Sequence, residues 1–220
     1  RILLLGFDPG ASGYWTIVVD DSPTKRFGPR VEAANIHHNP TPGPGDGEWL
    51  YGHNWVCLAM LLSHPLFGTI AIPLLSRLYV RLVDIAKLNE RYQWEFRTKH
   101  ELALEILRHV IRSLRALGTQ AGFVVVFDGA YAARKLVQSL ISEGAVVITR
   151  LRRDAKLFDL PIKEPGKRGR PRKYGKNRIN LSTLVGDNTN WLSIQYACRG
   201  VMVEGRYKTF LATSHVVGGL

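Results

Sequence analysis

Two apolar, strand-forming runs in this 220-residue chain each end in aspartate. Tyr14-Trp15-Thr16-Ile17-Val18-Val19 leads into Asp20-Asp21, and Gly122-Phe123-Val124-Val125-Val126-Phe127 leads into Asp128-Gly129. A carboxylate delivered at the tip of a buried strand must be neutralised, paired or bound to a metal. Two such tips side by side in one sheet would make a divalent-cation site. Carboxylate oxygens are hard ligands that suit Mg²⁺ or Mn²⁺. Two such ions about 4 Å apart can activate water on one side of a phosphodiester and stabilise the leaving oxygen on the other. Simpler readings exist at both positions. Asp128 could cap the helix that follows, and Asp20-Asp21-Ser22-Pro23 is good turn chemistry.

The two tips meet only if the elements around them build one sheet. Residues 14–20 read as a strand, and 22–48 as loop, because Asn39-Pro40-Thr41-Pro42-Gly43-Pro44-Gly45 disfavours regular structure. Residues 51–62 and 68–80 read as two antiparallel strands, with Pro73 implying a bulge or an early end. Residues 99–117 read as a helix: Thr98 and Glu101 have capping-box spacing. Leu102, Ile106, Leu107, Val110, Ile111, Leu114 and Leu117 share one face, and Gly118 stops it. A strand at 122–127 follows, then a helix at 130–142 with Ala133, Leu136, Val137, Leu140 and Ile141 inward, then a strand at 145–149. The order β-β-β-α-β-α-β predicts an α/β fold with a mixed sheet covered by helices. A ribonuclease-H-like sheet has this order. By that analogy the first strand lies beside the fourth, which makes the tips at residues 20 and 128 neighbours.

The composition points to a polyanionic partner. Thirty Lys and Arg against 18 Asp and Glu give a net charge of +12, which favours nucleic acid. Residues 150–178 hold 12 basic and 3 acidic residues, so they carry +9 of it. Within them, Lys167-Arg168-Gly169-Arg170-Pro171-Arg172-Lys173 resembles an AT-hook, an extended Arg-Pro segment narrow enough for the minor groove of A·T tracts. Its plainer reading is a basic loop on phosphates, with Lys176 close by. Lys25 and Arg26, just past the first carboxylates, could hold a phosphate or form a solvated turn. His37, His38 and His53 are candidate ligands or DNA contacts that no spacing demands. No apolar run is long enough to span a bilayer. Cys57 and Cys198 lack metal or disulfide spacing and read as buried thiols of a cytosolic protein. The change of character near residue 150 predicts two parts: a catalytic core at 1–150, and a basic loop with strand-like patches at 191–196 and 207–211 in 151–220.

Several of these stretches occur together in one larger pattern. Val19-Asp20-Asp21-Ser22-Pro23-Thr24-Lys25-Arg26 with Gly28, His37-His38-Asn39-Pro40, Phe127-Asp128-Gly129-Ala130-Tyr131, Val147 through Ala155 and the basic segment after Gly166 resemble, in order, the DDE transposases of bacterial insertion sequences. The resemblance implies a ribonuclease-H-like core with two Mg²⁺ or Mn²⁺ ions and an Asp–Asp–Glu triad. It implies nicking at transposon ends and joining of the 3′-hydroxyl to target DNA, by a dimer acting on paired double-stranded ends in the bacterial cytoplasm at the nucleoid. The first acid carries over to Asp20, with Asp21 as its close alternative, and the second to Asp128. Asp20 and Asp128 are the metal ligands it implies. The third, a Glu on a helix after a β-rich insertion, has no match. Residues 151–220 read as the start of that insertion, and Glu204 sits in a strand-like region. The expectation is a C-terminally truncated core, inactive alone. Two other readings remain: a non-catalytic DNA-binding remnant that uses only the basic segment, and a resolvase-like nuclease. The latter rests on Asp8, which follows Ile2-Leu3-Leu4-Leu5-Gly6-Phe7 and resembles the first catalytic strand of Holliday-junction resolvases.

Overall fold

The first strand does not stop at the aspartates. In the computed structural model, which describes residues 13–39, 42–64, 66–151, 155–162, 166, 169–170, 172–187, 189–198 and 200–216, β1 runs Tyr14–Lys25. Its first half lies between two partners. It pairs antiparallel with β3 (Trp49–His64) from Thr16 to Lys25, and parallel with β5 (Gly122–Phe127) from Tyr14 to Val19. Among the described residues β1 has no ladder neighbour on the β5 side beyond Val19, and Pro23, which lacks an N–H, lies in this one-sided stretch. The alternative reading of Asp20-Asp21-Ser22-Pro23 as a turn is thus set aside, and the strand expected to end at residue 20 continues to Lys25.

Within residues 22–48, read as loop, the structure forms a short strand, β2 (Asn35–His38), paired antiparallel with β3. β4 (Gly68–Tyr79) pairs with β3 on the same flank as β2, opposite β1, with a register shift where Leu58 faces Leu75 but Ala59 faces Pro73. This is the irregularity that Pro73 predicts. β6 (Val146–Thr149) extends the sheet parallel to β5. The path β2-β3-β1-β5-β6, with β4 on β3, is a mixed sheet of ribonuclease-H-like order, and it sets the first and second aspartate-bearing strands side by side.

Strand alternation sorts β1 into two faces. Trp15, Ile17 and Val19 are buried, and Ile17 is level with Met60 on β3 and Val125 on β5, all three fully buried. This face is covered by α2 (Lys99–Ala116), which packs on β3, β4 and α3 (Arg134–Ser142). The capping box forms at the start of α2: Thr98 N–H donates to Glu101 Oε2 at 2.8 Å, and Glu101 N–H donates to Thr98 Oγ1 at 3.3 Å. Six of the seven predicted apolar positions of α2 are buried. Leu117 is not; it lies past the last turn, at the C-cap, and is 45% exposed. The second predicted helix divides into a 3-10 turn (Gly129–Tyr131) and α3. Leu136, Val137 and Leu140 form its buried stripe, whereas Ala133 precedes the helix half-buried and Ile141, in the last turn, is 47% exposed. A short helix that the sequence does not predict, α1 (Leu82–Leu88), buries Ile85 and Leu88 in a small cluster with Val80, Leu78 and Phe96.

The chain divides into two compact units, residues 1–150 and 151–220. In the second, β7 (Leu157–Phe158) pairs with β8 (Arg178–Ile179) and with β11 (Thr213–Ser214), and α4 (Leu181–Gly186) follows β8. β9 (Leu192–Cys198) and β10 (Val201–Tyr207) form a hairpin. The patch expected at 207–211 contributes only Tyr207 to a strand. The two cysteines are not the buried thiols expected: Cys57 is half-buried and Cys198 exposed. Among the described residues no helix is long and apolar enough to cross a membrane.

Candidate functional site

Asp20 and Asp128 follow the last rung of the parallel ladder. Val19 pairs with Phe127, so these aspartates are the next residues on adjacent strands. Asp128 keeps extended backbone (φ −74°, ψ 175°), so it continues the alternation of β5. Paired positions of a ladder share a face, which puts Asp20 with Val18 and Asp128 with Val126, away from α2. Both residues are exposed. Among the described residues neither is in an ion pair; Asp20 Oδ1 accepts only from the neighbouring Asp21 N–H, at 2.8 Å.

Asp128 also caps the turn behind it. Its Oδ1 accepts from Ala130 N–H at 2.9 Å, and its carbonyl accepts from Tyr131 N–H at 3.2 Å and from Thr149 Oγ1 at 3.1 Å. The capping role predicted as the simpler alternative is therefore present. It occupies one carboxylate oxygen and fixes where the group stands. Gly129 follows because nothing larger fits: a Cβ there would lie 2.8 Å from the carbonyl oxygen of Arg150.

Asp21 points the other way. It is level with the buried Val56, on the helix side, and its carboxylate accepts from Lys99 Nζ and from Tyr131 Oη. Tyr131 is 2% exposed. Burial, then the bond to Asp21 and the charges of Asp21, Asp20 and Asp128, push its pKa upward, so it remains a donor at neutral pH. Across the ladder from Asp20, Cys57 feels the same field: burial first, then the charges of Asp21 and Asp20, raise its thiol pKa against a bond from Ser22. The charges of all three carboxylates thus reach Tyr131, and those of Asp20 and Asp21 reach Cys57, although Asp20 and Asp21 face opposite sides of β1.

Lys25, Arg26, His38 and His53 have local partners. Lys25 pairs with Asp46 at 3.0 Å, and Arg26 Nε donates to His53 Nδ1 at 3.3 Å. The opposite nitrogen of His53 lies 2.9 Å from the Glu32 carbonyl, and His38 packs edge-on to Trp49. His37 is buried, and burial together with the charges of Lys99 and Arg81 holds its pKa below the usual value. Asp8, Lys167, Arg168 and Pro171 lie outside the described residues. Arg170, Arg172, Lys173 and Lys176 are exposed. The stretch after Arg172 is pinned to Asp159, the residue after β7: Gly175 N–H donates to its carbonyl at 3.0 Å, and Asn177 Nδ2 to its Oδ2 at 2.7 Å. Glu204 is on β10, level with Gln195.

Sequence reasoning missed Lys99, His100 and Tyr131 as parts of this site. Tyr131 stands three residues after Asp128, a spacing with no meaning until the turn closes. Lys99 and His100 look like an ordinary helix start. His100 Nε2 lies 2.9 Å from the Ala130 carbonyl, and its ring meets Tyr131 edge-on at 5.8 Å.

Among the described residues no three His, Cys, Asp or Glu side chains form a group able to hold a metal. The donor set of Asp20 and Asp128 still fits Mg²⁺ or Mn²⁺, because such ions are commonly held through one or two carboxylates, with waters and substrate phosphates completing the shell. No curated protein matches the chain. A family model described as DDE superfamily endonuclease matches residues 7–209. That span takes in nearly all of the first unit and most of the second, and the chain belongs to the DDE superfamily endonuclease family.

Proposed function

We propose that the chain is the catalytic core of a transposase, cutting DNA at transposon ends and joining the freed 3′-hydroxyl to target DNA. The observation that carries the reading is the ladder register: Val19 opposite Phe127 makes Asp20, within β1, and Asp128, just past the end of β5, neighbouring carboxylates on one face. Asp20 and Asp128 would hold Mg²⁺ or Mn²⁺ there. Such an ion, when bound, supplies an acidified water and charge stabilisation at the phosphodiester. Asp128 is held for the task by its bond to Ala130, and Asp20 by the β1–β3 ladder. Arg170, Arg172, Lys173 and Lys176 would contact double-stranded DNA, whose phosphates supply most of the affinity of basic segments. Lys25 could join them, since its exposed pair with Asp46 is weak and exchangeable. The working assembly is a dimer on paired DNA ends.

Manganese titration followed by electron paramagnetic resonance tests the assignment. The wild-type chain binds Mn²⁺, and Asp20→Asn and Asp128→Asn, each removing one of the two protein ligands, weaken binding by clearly more than the roughly tenfold loss expected of an outer-shell partner. Unchanged affinity in both variants overturns it.

A further inference from the structure

We infer that Asp21 is not a metal ligand but the anchor of a positioning clamp, formed with Tyr131 and Lys99, that holds the Asp128 turn against β1. The inference rests on the assignment of Asp20 and Asp128 as the metal-holding pair, and gives the adjacent aspartate a distinct task.

The clamp joins three elements at one carboxylate. Asp21 belongs to β1, Lys99 is the first residue of α2, and Tyr131 closes the 3-10 turn that begins beside Asp128. Lys99 and Tyr131 both donate to Asp21. Lys99 also lies over the Tyr79 ring at 5.3 Å, which brings in β4. His100 adds a second grip on the turn through the Ala130 carbonyl and the Tyr131 ring. Tyr131 packs against Phe127 at 6.3 Å, the residue immediately before Asp128. The capping box at Thr98 and Glu101 fixes the direction in which Lys99 and His100 leave the helix.

Recruiting Asp21 to a metal on the opposite face would strand its partners. A buried phenol O–H and a half-buried ammonium would each lose an acceptor, and an unpaired buried donor costs more than its bond is worth. Strand alternation adds the geometric obstacle, since consecutive residues of β1 face opposite sides. Asp20 meets neither constraint.

The test is a double-mutant cycle read by Mn²⁺ affinity alongside thermal unfolding of the metal-free chain. Asp21→Asn keeps the shape and removes the charge; Tyr131→Phe keeps the buried ring and removes the hydroxyl. Each is expected to weaken Mn²⁺ binding by about tenfold, the effect of losing an outer-shell support. The double variant is expected to be no weaker than the worse single, because both break one linkage. Loss of binding in Asp21→Asn as complete as in Asp20→Asn makes Asp21 a ligand and overturns the inference. So does a Tyr131→Phe variant that melts lower yet binds Mn²⁺ like wild type, since its role is then structural only. If Asp21→Asn does not fold, Tyr131→Phe and Lys99→Met carry the same comparison. Wild-type Mn²⁺ affinity in both Asp20→Asn and Asp128→Asn removes the metal assignment itself, a result distinct from unchanged binding in Tyr131→Phe alone.

Discussion

Adding one methyl group at Gly129 should displace the second aspartate. The Cβ of alanine there would sit 2.8 Å from the Arg150 carbonyl oxygen, and ordinary van der Waals separation begins at 3.4 Å, so the turn or the end of β6 must move by about 0.6 Å. Gly129 has no positive φ, so alanine meets no backbone penalty. It instead reduces the freedom of the unfolded chain, worth about 0.4–1 kcal/mol in favour of folding. Crowding a packed site costs about 1–3 kcal/mol. The clash therefore wins, leaving a net loss of about 1 kcal/mol and a melting temperature lower by about 2–4 °C for a unit of this size. On the proposed assignment of Asp128 as a metal ligand, the larger effect falls on Mn²⁺ binding. Asp128 is the preceding residue, and its carbonyl is tied to Thr149 one position before Arg150. Reaction geometries lose about a hundredfold for a misplacement near 1 Å, so a shift of this size should weaken Mn²⁺ binding by about tenfold. Calorimetric melting and Mn²⁺ titration of Gly129→Ala check both. A variant that melts higher than wild type and binds Mn²⁺ equally well would mean that the entropic gain is unopposed and the close approach to Arg150 does not constrain Asp128.

The helix cap and the basic segment give three further outcomes. Thr98→Ala should destabilise the first unit by about 1 kcal/mol, seen as a lower denaturant midpoint at unchanged slope. The Thr98 backbone N–H, then its hydroxyl, hold the Glu101 carboxyl below the usual range. Its contribution is therefore fully present above the ordinary Glu pKa and is lost as pH falls through the lowered folded value. The stability gap between wild type and Glu101→Gln should close in that acid window; a gap that widens there contradicts the assigned bond. Replacing Arg170, Arg172 and Lys173 by alanine should lower the salt dependence of DNA binding by about 0.9 in log–log slope for each phosphate no longer neutralised. Equal weakening on all sequences marks a phosphate-binding loop, weakening concentrated on A·T tracts marks minor-groove entry, and an unchanged slope removes this segment from the interface.

The sheet was legible because its signals are local. The apolar runs of β1, β3 and β5 carry strand-forming residues, and the Thr98–Glu101 spacing announces α2 before any packing is known. What escaped was decided by neighbours. Asp20, Asp21, Ser22 and Pro23 are poor strand formers, yet the 16-residue β3 offers a partner as far as Lys25 and the strand continues. Leu117 and Ile141 fit the apolar spacing but stand at or near helix ends, where no sheet remains to cover them. α1 was missed because seven residues are too few for periodicity, and its first two, Leu82 and Val83, face outward.

The candidate site was half legible for a related reason. A carboxylate at a strand tip is visible in sequence, but its face is not, because face depends on register and register depends on the partner strand. Asp20 and Asp21 are chemically identical and adjacent. Only the pairing of Val19 with Phe127 separates them, one onto the open side with Asp128 and the other onto the helix side with Lys99 and Tyr131. A strand cannot present two consecutive side chains to one ion without a bulge, and β1 pairs with β3 in unbroken register through both residues. The doubled aspartate is thus better understood as two tasks on one strand, reaching into the open face with one residue and tying the neighbouring turn in place with the next.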